Sequence, residues 1–132
     1  MKVVFDSNIL VSAFVIPGGR GEAALHRVLG ERDQMILSKA IVDELLGVLA
    51  RKFSKDAEHL AHTAVFLNDL ATVVKPGRRL KVLKDAADNR ILECAVAGRA
   101  YAIVTGDHAL LALREFRGVR VLSLRDYLDS PG

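Results

Sequence analysis

The chain has 132 residues, 51% of them hydrophobic, which is enough for one folded domain and excludes an intrinsically disordered protein. Its 19 basic and 16 acidic side chains give a net charge of +3, a mild excess that is compatible with a polyanionic partner but is not evidence for one. Cys94 is the only cysteine, which excludes an internal disulfide, and no apolar run is long enough to cross a bilayer. We therefore expect a single cytoplasmic domain over residues 1–132, with no membrane association.

Short apolar segments alternate with amphipathic segments along the whole chain. The apolar segments predict strands at 3–5, 35–37, 71–74, 101–105 and 119–122. The amphipathic segments predict helices at 8–16, 22–29, 39–51, 55–70, 85–98, 107–113 and 125–128. Strands that alternate with helices require crossover connections, so the predicted fold class is α/β: a three-layer α/β/α sandwich around a central, mostly parallel sheet.

Polar side chains follow two of the predicted strands directly. Asp6, Ser7 and Asn8 end the first apolar run, and these are more capping residues than one helix start needs. Asp107 follows Thr105-Gly106 at the end of the most apolar strand, where a cap for the next helix is the alternative explanation. Because parallel strands present their carboxyl ends along one edge of the sheet, we expect these side chains to lie close together.

Two further pairs of acids lie in predicted helices. Asp43 and Glu44 each border the apolar stripe of the same helix, on opposite rims, and helical geometry does not choose between them. Asp85 and Asp88 are neighbours on the predicted helix at 85–98. Asp85 is expected to cap this helix and Asp88 to point into the site.

Several carboxylates that meet at one edge of a sheet repel one another unless a cation lies between them. Hard divalent cations such as Mg²⁺ prefer oxygen ligands of this kind. The pattern therefore indicates a metal-dependent hydrolase, and the basic balance of the rest of the chain favours a phosphate-bearing polymer as its substrate.

Basic side chains elsewhere are candidates for binding the backbone of such a polymer. The segment 75–84, for which no regular structure is predicted, is the most basic part of the chain. An ordinary solvated surface explains any single one of these positions equally well. The candidates are Arg20, Lys39, Arg78, Arg79 and Arg90.

Taken together, these segments resemble a PIN domain, the small α/β nuclease fold of VapC-type toxins from toxin–antitoxin pairs. The resemblance runs nearly from end to end, and its first and last segments are the most specific. The matching segments are VFDSNILVSA at 4–13, Leu37-Ser38 with Ile41 and Glu44-Leu45, DAADNRIL at 85–92 with Ala95, and IVTGD at 103–107.

By position, the resemblance implies an acidic metal site with Mg²⁺ (or Mn²⁺) as cofactor, and it selects Glu44 over Asp43. Asp88 would hold the ion with the acids at the two strand ends, and Glu44 would complete the cluster. The implied catalytic and metal-binding residues are Asp6, Glu44, Asp88 and Asp107. The side chains expected to position water or substrate are Ser7, Asn8 and Thr105.

The implied activity is hydrolysis of phosphodiester bonds in single-stranded RNA, whose bases can be splayed and reached, by the toxin of a toxin–antitoxin pair. The implied partners are RNA, a small antitoxin protein and a second copy in a homodimer. The chain departs from the family pattern at Ser7, which replaces the commoner Thr and keeps the hydroxyl. It also has Ala86-Ala87 where relatives often carry Pro-Asp, which leaves open whether one or two metal ions bind.

Two other functions fit parts of the sequence. An aspartate-dependent phosphatase would use Asp6 as its nucleophile, although a dehalogenase-type phosphatase would need an acid where Asn8 stands. A catalytically weak PIN-like module would bind RNA or protein without cutting, and Ala87 favours this alternative.

Overall fold

A computed structural model describes residues 1–131, in which six strands form one sheet in the order β3-β2-β1-β4-β6-β5. Every neighbouring pair is parallel except β5 and β6. The predicted mostly parallel sheet is therefore confirmed. The strands are β1 (Lys2–Phe5), β2 (Gln34–Ser38), β3 (Thr72–Val74), β4 (Ala102–Val104), β5 (Glu115–Phe116) and β6 (Val119–Leu122).

Seven helices lie among residues 1–131, and the predicted helical segments are all present with ends shifted by at most a few residues. Within this part of the chain no helix combines the length and the apolar content needed to span a membrane. The helices are α1 (Ser7–Val15), α2 (Arg20–Leu29), α3 (Lys39–Phe53), α4 (Ala57–Leu70), α5 (Ala86–Ala97), α6 (His108–Leu113) and α7 (Leu124–Asp129).

The central strand β1 is covered on both faces. Val3, Val4 and Phe5 point alternately to opposite sides of the sheet, and none is more than 1% exposed. Helices therefore cover both sides, which confirms the three-layer α/β/α fold class. Because β1 lies between β2 and β4, whatever follows Phe5 comes to the middle of the sheet's carboxyl edge.

The sequence pattern missed one strand, the antiparallel edge strand β5. Arg117 and Gly118 join it to β6, and both have positive φ angles, 49° and 83°. A two-residue turn with positive φ at both positions suits a tight hairpin. Glu115 and Phe116 are too few residues to produce an alternation that could be recognised in the sequence.

Candidate active site

The acids that end β1 and follow β4 meet at the centre of the sheet's carboxyl edge. Phe5 pairs with Val104 in adjacent parallel strands, so Asp6 and Thr105 emerge side by side. The Thr105 hydroxyl donates to Asp6 Oδ2 at 2.6 Å and accepts from the Asp107 backbone N–H at 3.0 Å. Asp6 and Asp107 are therefore joined through one buried threonine, although they are far apart in the sequence.

The residues after Asp6 differ in what they do. Ser7 is buried, its hydroxyl donates to Asp6 Oδ1 at 3.4 Å, and it lies close enough to Glu44 to lower the pKa of that carboxyl. Asn8 donates its backbone N–H to the same Asp6 oxygen, at 3.4 Å, while the residue itself is exposed. Ser7 thus connects the first acid to the helix that carries Glu44, and Asn8 leaves its side chain directed to solvent.

The structure separates Glu44 from Asp43, which helical geometry could not do. Asp43 is exposed and forms an ion pair with Lys39 at 2.6 Å on the outer side of α3. Glu44 is half-buried, and its pKa is raised, chiefly by burial and then by the charges of Asp6 and Asp85, against the lowering effect of the Ser7 hydrogen bond. Glu44 is therefore the acid of this pair that faces the site.

Asp88 lies in the first turn of α5, and Asp85 caps that helix by accepting from the Ala87 N–H at 2.9 Å. The pKa of Asp88 is raised to about 7, first by burial and then by the charge of Asp107 and a hydrogen bond with it. Asp6 and Asp85 raise it further. The predicted division of roles, with Asp85 as cap and Asp88 pointing inward, agrees with this arrangement.

The four acids are an all-oxygen donor set whose negative charges oppose one another, and this chemistry suits Mg²⁺ or Mn²⁺. Within residues 1–131, however, no group of three or more His, Cys, Asp or Glu side chains is arranged as a formed metal-binding site. The donor chemistry fits a divalent ion, and the metal ligands stay a prediction.

Two side chains that were predicted to position water or substrate are placed differently. Thr105 is 0% exposed, and its hydroxyl bonds the Asp6 carboxylate and the Asp107 backbone N–H, so it holds these groups and cannot touch a substrate directly. Ser7 is 2% exposed, and its hydroxyl donates to Asp6, so it too holds a carboxylate from the buried side. Only Asn8, of these three, has a side chain free to contact substrate or water.

The five basic candidates fall into different surroundings. Lys39, Arg79 and Arg90 line one cleft of about 260 Å³ beside the end of β2. Arg90 is partly committed there, because its guanidinium pairs with Glu93 at 2.9 Å and donates to the Leu80 carbonyl at 3.3 Å. Arg78 lines a neighbouring cleft, and Arg20 is exposed at the start of α2.

Asn89 and Glu93, two buried residues of α5, hold the basic segment in place and were not singled out from the sequence. The Asn89 amide oxygen accepts from the backbone N–H groups of Val82 and Leu83, and its nitrogen donates to the Leu83 carbonyl. Glu93 accepts from the Leu80 N–H at 2.7 Å. The available signal in the sequence was the presence of Asn89 and Glu93 among the apolar residues of this helix, because polar side chains that are buried need hydrogen-bond partners.

Comparison with known proteins agrees with the fold and with the resemblance. The chain is 26% identical over 119 residues to the uncharacterized protein MJ1680 of Methanocaldococcus jannaschii. The matched region covers 87% of this chain and 76% of that protein. VapBC2 from Rickettsia felis, solved bound to a DNA fragment from its promoter, has a similar structure with a TM-score of 0.64 at 15% identity, covering 93% of this chain and 98% of that one.

VapBC-1 from nontypeable Haemophilus influenzae is similar with a TM-score of 0.60 at 14% identity, over 95% of this chain and 99% of that one. At these identities the two structures establish the fold alone. The family model described as the PIN domain matches residues 2–109, a span that contains all four candidate acids. The chain belongs to the PIN domain family.

Proposed function

We propose that this protein is a ribonuclease that uses a divalent metal ion to hydrolyse phosphodiester bonds of single-stranded RNA in the cytoplasm. The observation that carries the proposal is that Thr105 joins Asp6 and Asp107. Glu44 and Asp88 lie close enough to these acids for their charges to raise both pKa values. Domains of this family are generally nucleases, which supports hydrolysis of a nucleic acid.

Asp6, Asp88 and Asp107 would hold Mg²⁺ or Mn²⁺, with Glu44 beside them. The ion would supply an activated water and a Lewis acid for the phosphate. The chain's own contribution is to fix the Asp6 carboxylate, which Thr105 and Ser7 bond from the buried side. The pKa of Asp88, raised to about 7, lets that carboxyl keep a proton until a cation replaces it.

The phosphatase alternative gains no support from the residues around Asp6, because Asn8 stands where a dehalogenase-type phosphatase needs its second acid. The non-cleaving alternative is favoured by Ala87, which stands where relatives often have an acid, and binding of RNA without products would support it.

The experiment that tests the proposal incubates the protein with labelled single-stranded RNA in Mg²⁺, Mn²⁺ or chelator. Asp6→Asn and Asp107→Asn should abolish cleavage and still fold, because Asn keeps an acceptor for Thr105 at position 6 and is itself a good helix cap at position 107. Glu44→Gln should slow cleavage strongly.

Asp43→Asn is the matched control, because Asp43 is the adjacent acid and lies on the outer side of α3. The Asp43→Asn protein should cut RNA at the wild-type rate. Double-stranded RNA and single-stranded DNA, offered in parallel, define the substrate. Full activity of Asp6→Asn, or activity that survives in chelator, would contradict the proposal.

We further propose that the protein acts as the toxin of a toxin–antitoxin pair and binds a small antitoxin, which its structural similarity to the two VapBC complexes supports. Phe53, Val65 and Phe66 are exposed apolar side chains at the end of α3 and on α4, a surface type that often binds a partner. Co-purification with the product of the adjacent gene tests the antitoxin, and light scattering of the purified chain tests the homodimer.

A further inference from the structure

A second charged feature lies beside the acidic site, and we refer to it as the cationic cleft. It has a volume of about 260 Å³, and four cations line it together with Glu93 and small or apolar residues. The cations come from three parts of the chain: the start of α3, the basic segment and α5. They are Lys39, Lys75, Arg79 and Arg90.

The cationic cleft and the acidic site share one edge of the sheet. Ser38 lines the cleft at the end of β2, and Lys2 and Val3 of β1 pair with Gln34 and Met35. Because β1 and β2 are parallel neighbours, Asp6, which follows β1, and Ser38, which ends β2, come to the same carboxyl edge of the sheet. A polymer lying at Asp6 can therefore extend along this edge toward the cleft.

The charge inside the cleft is predominantly positive and mostly uncommitted. Lys75 and Arg79 are exposed and form no ion pair within residues 1–131. Lys39 pairs only with Asp43, and both side chains are more than half exposed, so water screens that contact. Glu93, the one acid in the lining, already accepts from Arg90 and from the Leu80 N–H.

Arg90 adds a buried feature to the same cleft. Its side chain is only 19% exposed, held by Glu93 and the Leu80 carbonyl, and its Nε is buried without a hydrogen-bond partner within residues 1–131. A guanidinium that is held in place loses little freedom when it binds an anion. Because Arg90 lies half a turn beyond Asp88 on α5, one helix positions both an acid of the site and a cation of the cleft.

The lining, as residues 1–131 form it, offers cations and no aromatic side chain on which a base could stack, so its chemistry suits a phosphate group. We propose that the cationic cleft holds a backbone phosphate of the RNA strand, next to the bond that lies at the acidic site. This inference rests on the proposed ribonuclease function. The cleft then contributes affinity and register along the strand, and no sequence preference.

The test measures binding separately from cutting by using the Asp6→Asn protein and fluorescent single-stranded RNA, with anisotropy followed at several salt concentrations. Adding Lys75→Ala and Arg79→Ala should weaken binding about tenfold and lower the salt slope by about 1, uniformly across RNA sequences. Both side chains are exposed and form no ion pair within residues 1–131, so the variant should fold, which its melting temperature checks.

The matched control adds Lys52→Ala and Arg99→Ala instead, which removes one exposed positive charge in the last turn of α3 and one just after the end of α5. It should bind RNA as the parent does. Equal RNA binding by the cleft variant and the control overturns the inference. It is also overturned if the cleft substitutions change only the competition by inorganic phosphate and leave the affinity for RNA unchanged. If RNA is cut in a metal-dependent way but the cleft variant is unaffected, the inference fails while the proposed function stands.

Discussion

Buried hydroxyls around the acids decide how the carboxylates point. Thr105 is fully buried between Asp6 and Asp107, and Ser7 is buried between Asp6 and Glu44. The Thr105 hydroxyl therefore fixes the Asp6 carboxylate and the Asp107 backbone at once, and the Ser7 hydroxyl fixes the second oxygen of Asp6. A hydrogen bond to a charged group contributes about 1.5–3 kcal/mol, so these contacts matter for stability as well as for orientation.

Thr105→Val keeps the shape of the side chain and removes both hydrogen bonds. Because Asp6 and Asp107 then lose their common partner, we expect cleavage to fall by about 10- to 100-fold, in kcat more than in KM. Thr105→Ser should restore most of the activity, since it restores the hydroxyl. Steady-state kinetics of both variants check this, and a Thr105→Val enzyme as fast as the wild type would show that the hydroxyl orients nothing essential.

The raised pKa of Asp88 predicts how the metal-free protein responds to pH. A carboxyl whose pKa rises from 3.8 to about 7 on folding binds its proton more tightly in the folded state. Its contribution to stability is therefore present in acid and is lost as the pH rises from about 4 to about 7.

Urea denaturation in chelator across this pH range measures the effect. Asp88→Asn, which has no proton to lose, should flatten the curve, and Mn²⁺ should restore the stability of the wild type near neutral pH because a cation replaces the proton. A wild-type curve that rises through this range would contradict the assigned environment of Asp88.

Helix α5 connects the acidic site to the basic segment through its buried face. Asp88 points toward the site, while Asn89 and Glu93 hold the backbone of the segment from Leu80 to Leu83. The segment has little regular structure of its own, and these side chains satisfy backbone groups that a strand or helix would otherwise pair. One helix therefore sets the position of the cationic cleft relative to the acids.

Asn89→Ala removes three hydrogen bonds to the segment. Since it leaves the N–H groups of Val82 and Leu83 without their partner, we expect the free energy of unfolding to fall by about 1–3 kcal/mol. Asn68→Ala is the control, because Asn68 is exposed on α4 and the change should stay within about 0.5 kcal/mol. Urea denaturation compares the two, and equal stability would mean that the segment is held by other contacts.

In the whole molecule, one arginine of α2 connects that helix to the C-terminal helix α7. Arg27 is 9% exposed, lies 4.8 Å from the centre of the Tyr127 ring, and donates to the carbonyls of Tyr127, Leu128 and Ser130. These are carbonyls at the end of a helix, which have no partner within the helix itself. This contact closes the fold beyond residue 109, where the family match ends.

Arg27→Ala should lower the free energy of unfolding by about 3–5 kcal/mol, because three carbonyls lose a charged donor in a buried place. Arg27→Lys should rescue little, since a single ammonium group cannot reproduce the planar fork. Arg32→Ala, which removes one exposed hydrogen bond to Pro131, is the control and should cost less than about 1 kcal/mol. Thermal and urea denaturation distinguish the three variants.

Local patterns in the chain determined most of the architecture. Continuous apolar runs such as Val3 to Phe5, and caps such as Ser38 and Asp85, predicted the alternation and hence the parallel sheet, because burial on both faces and helix capping are short-range properties. Asp6 and Asp107 could be placed at one edge for the same reason. The two-residue strand β5 was missed because it carries too little pattern to detect.

Tertiary structure alone decided which polar groups face one another. The choice of Glu44 over Asp43 depends on Ser7 and Asp6 from another element, and the burial of Thr105 depends on strands β1 and β4 lying side by side. The gathering of Lys39, Arg79 and Arg90 into one cleft likewise depends on α5 holding the basic segment. Periodicity reports which side of an element is buried, but the partner that buries it comes from a distant part of the chain.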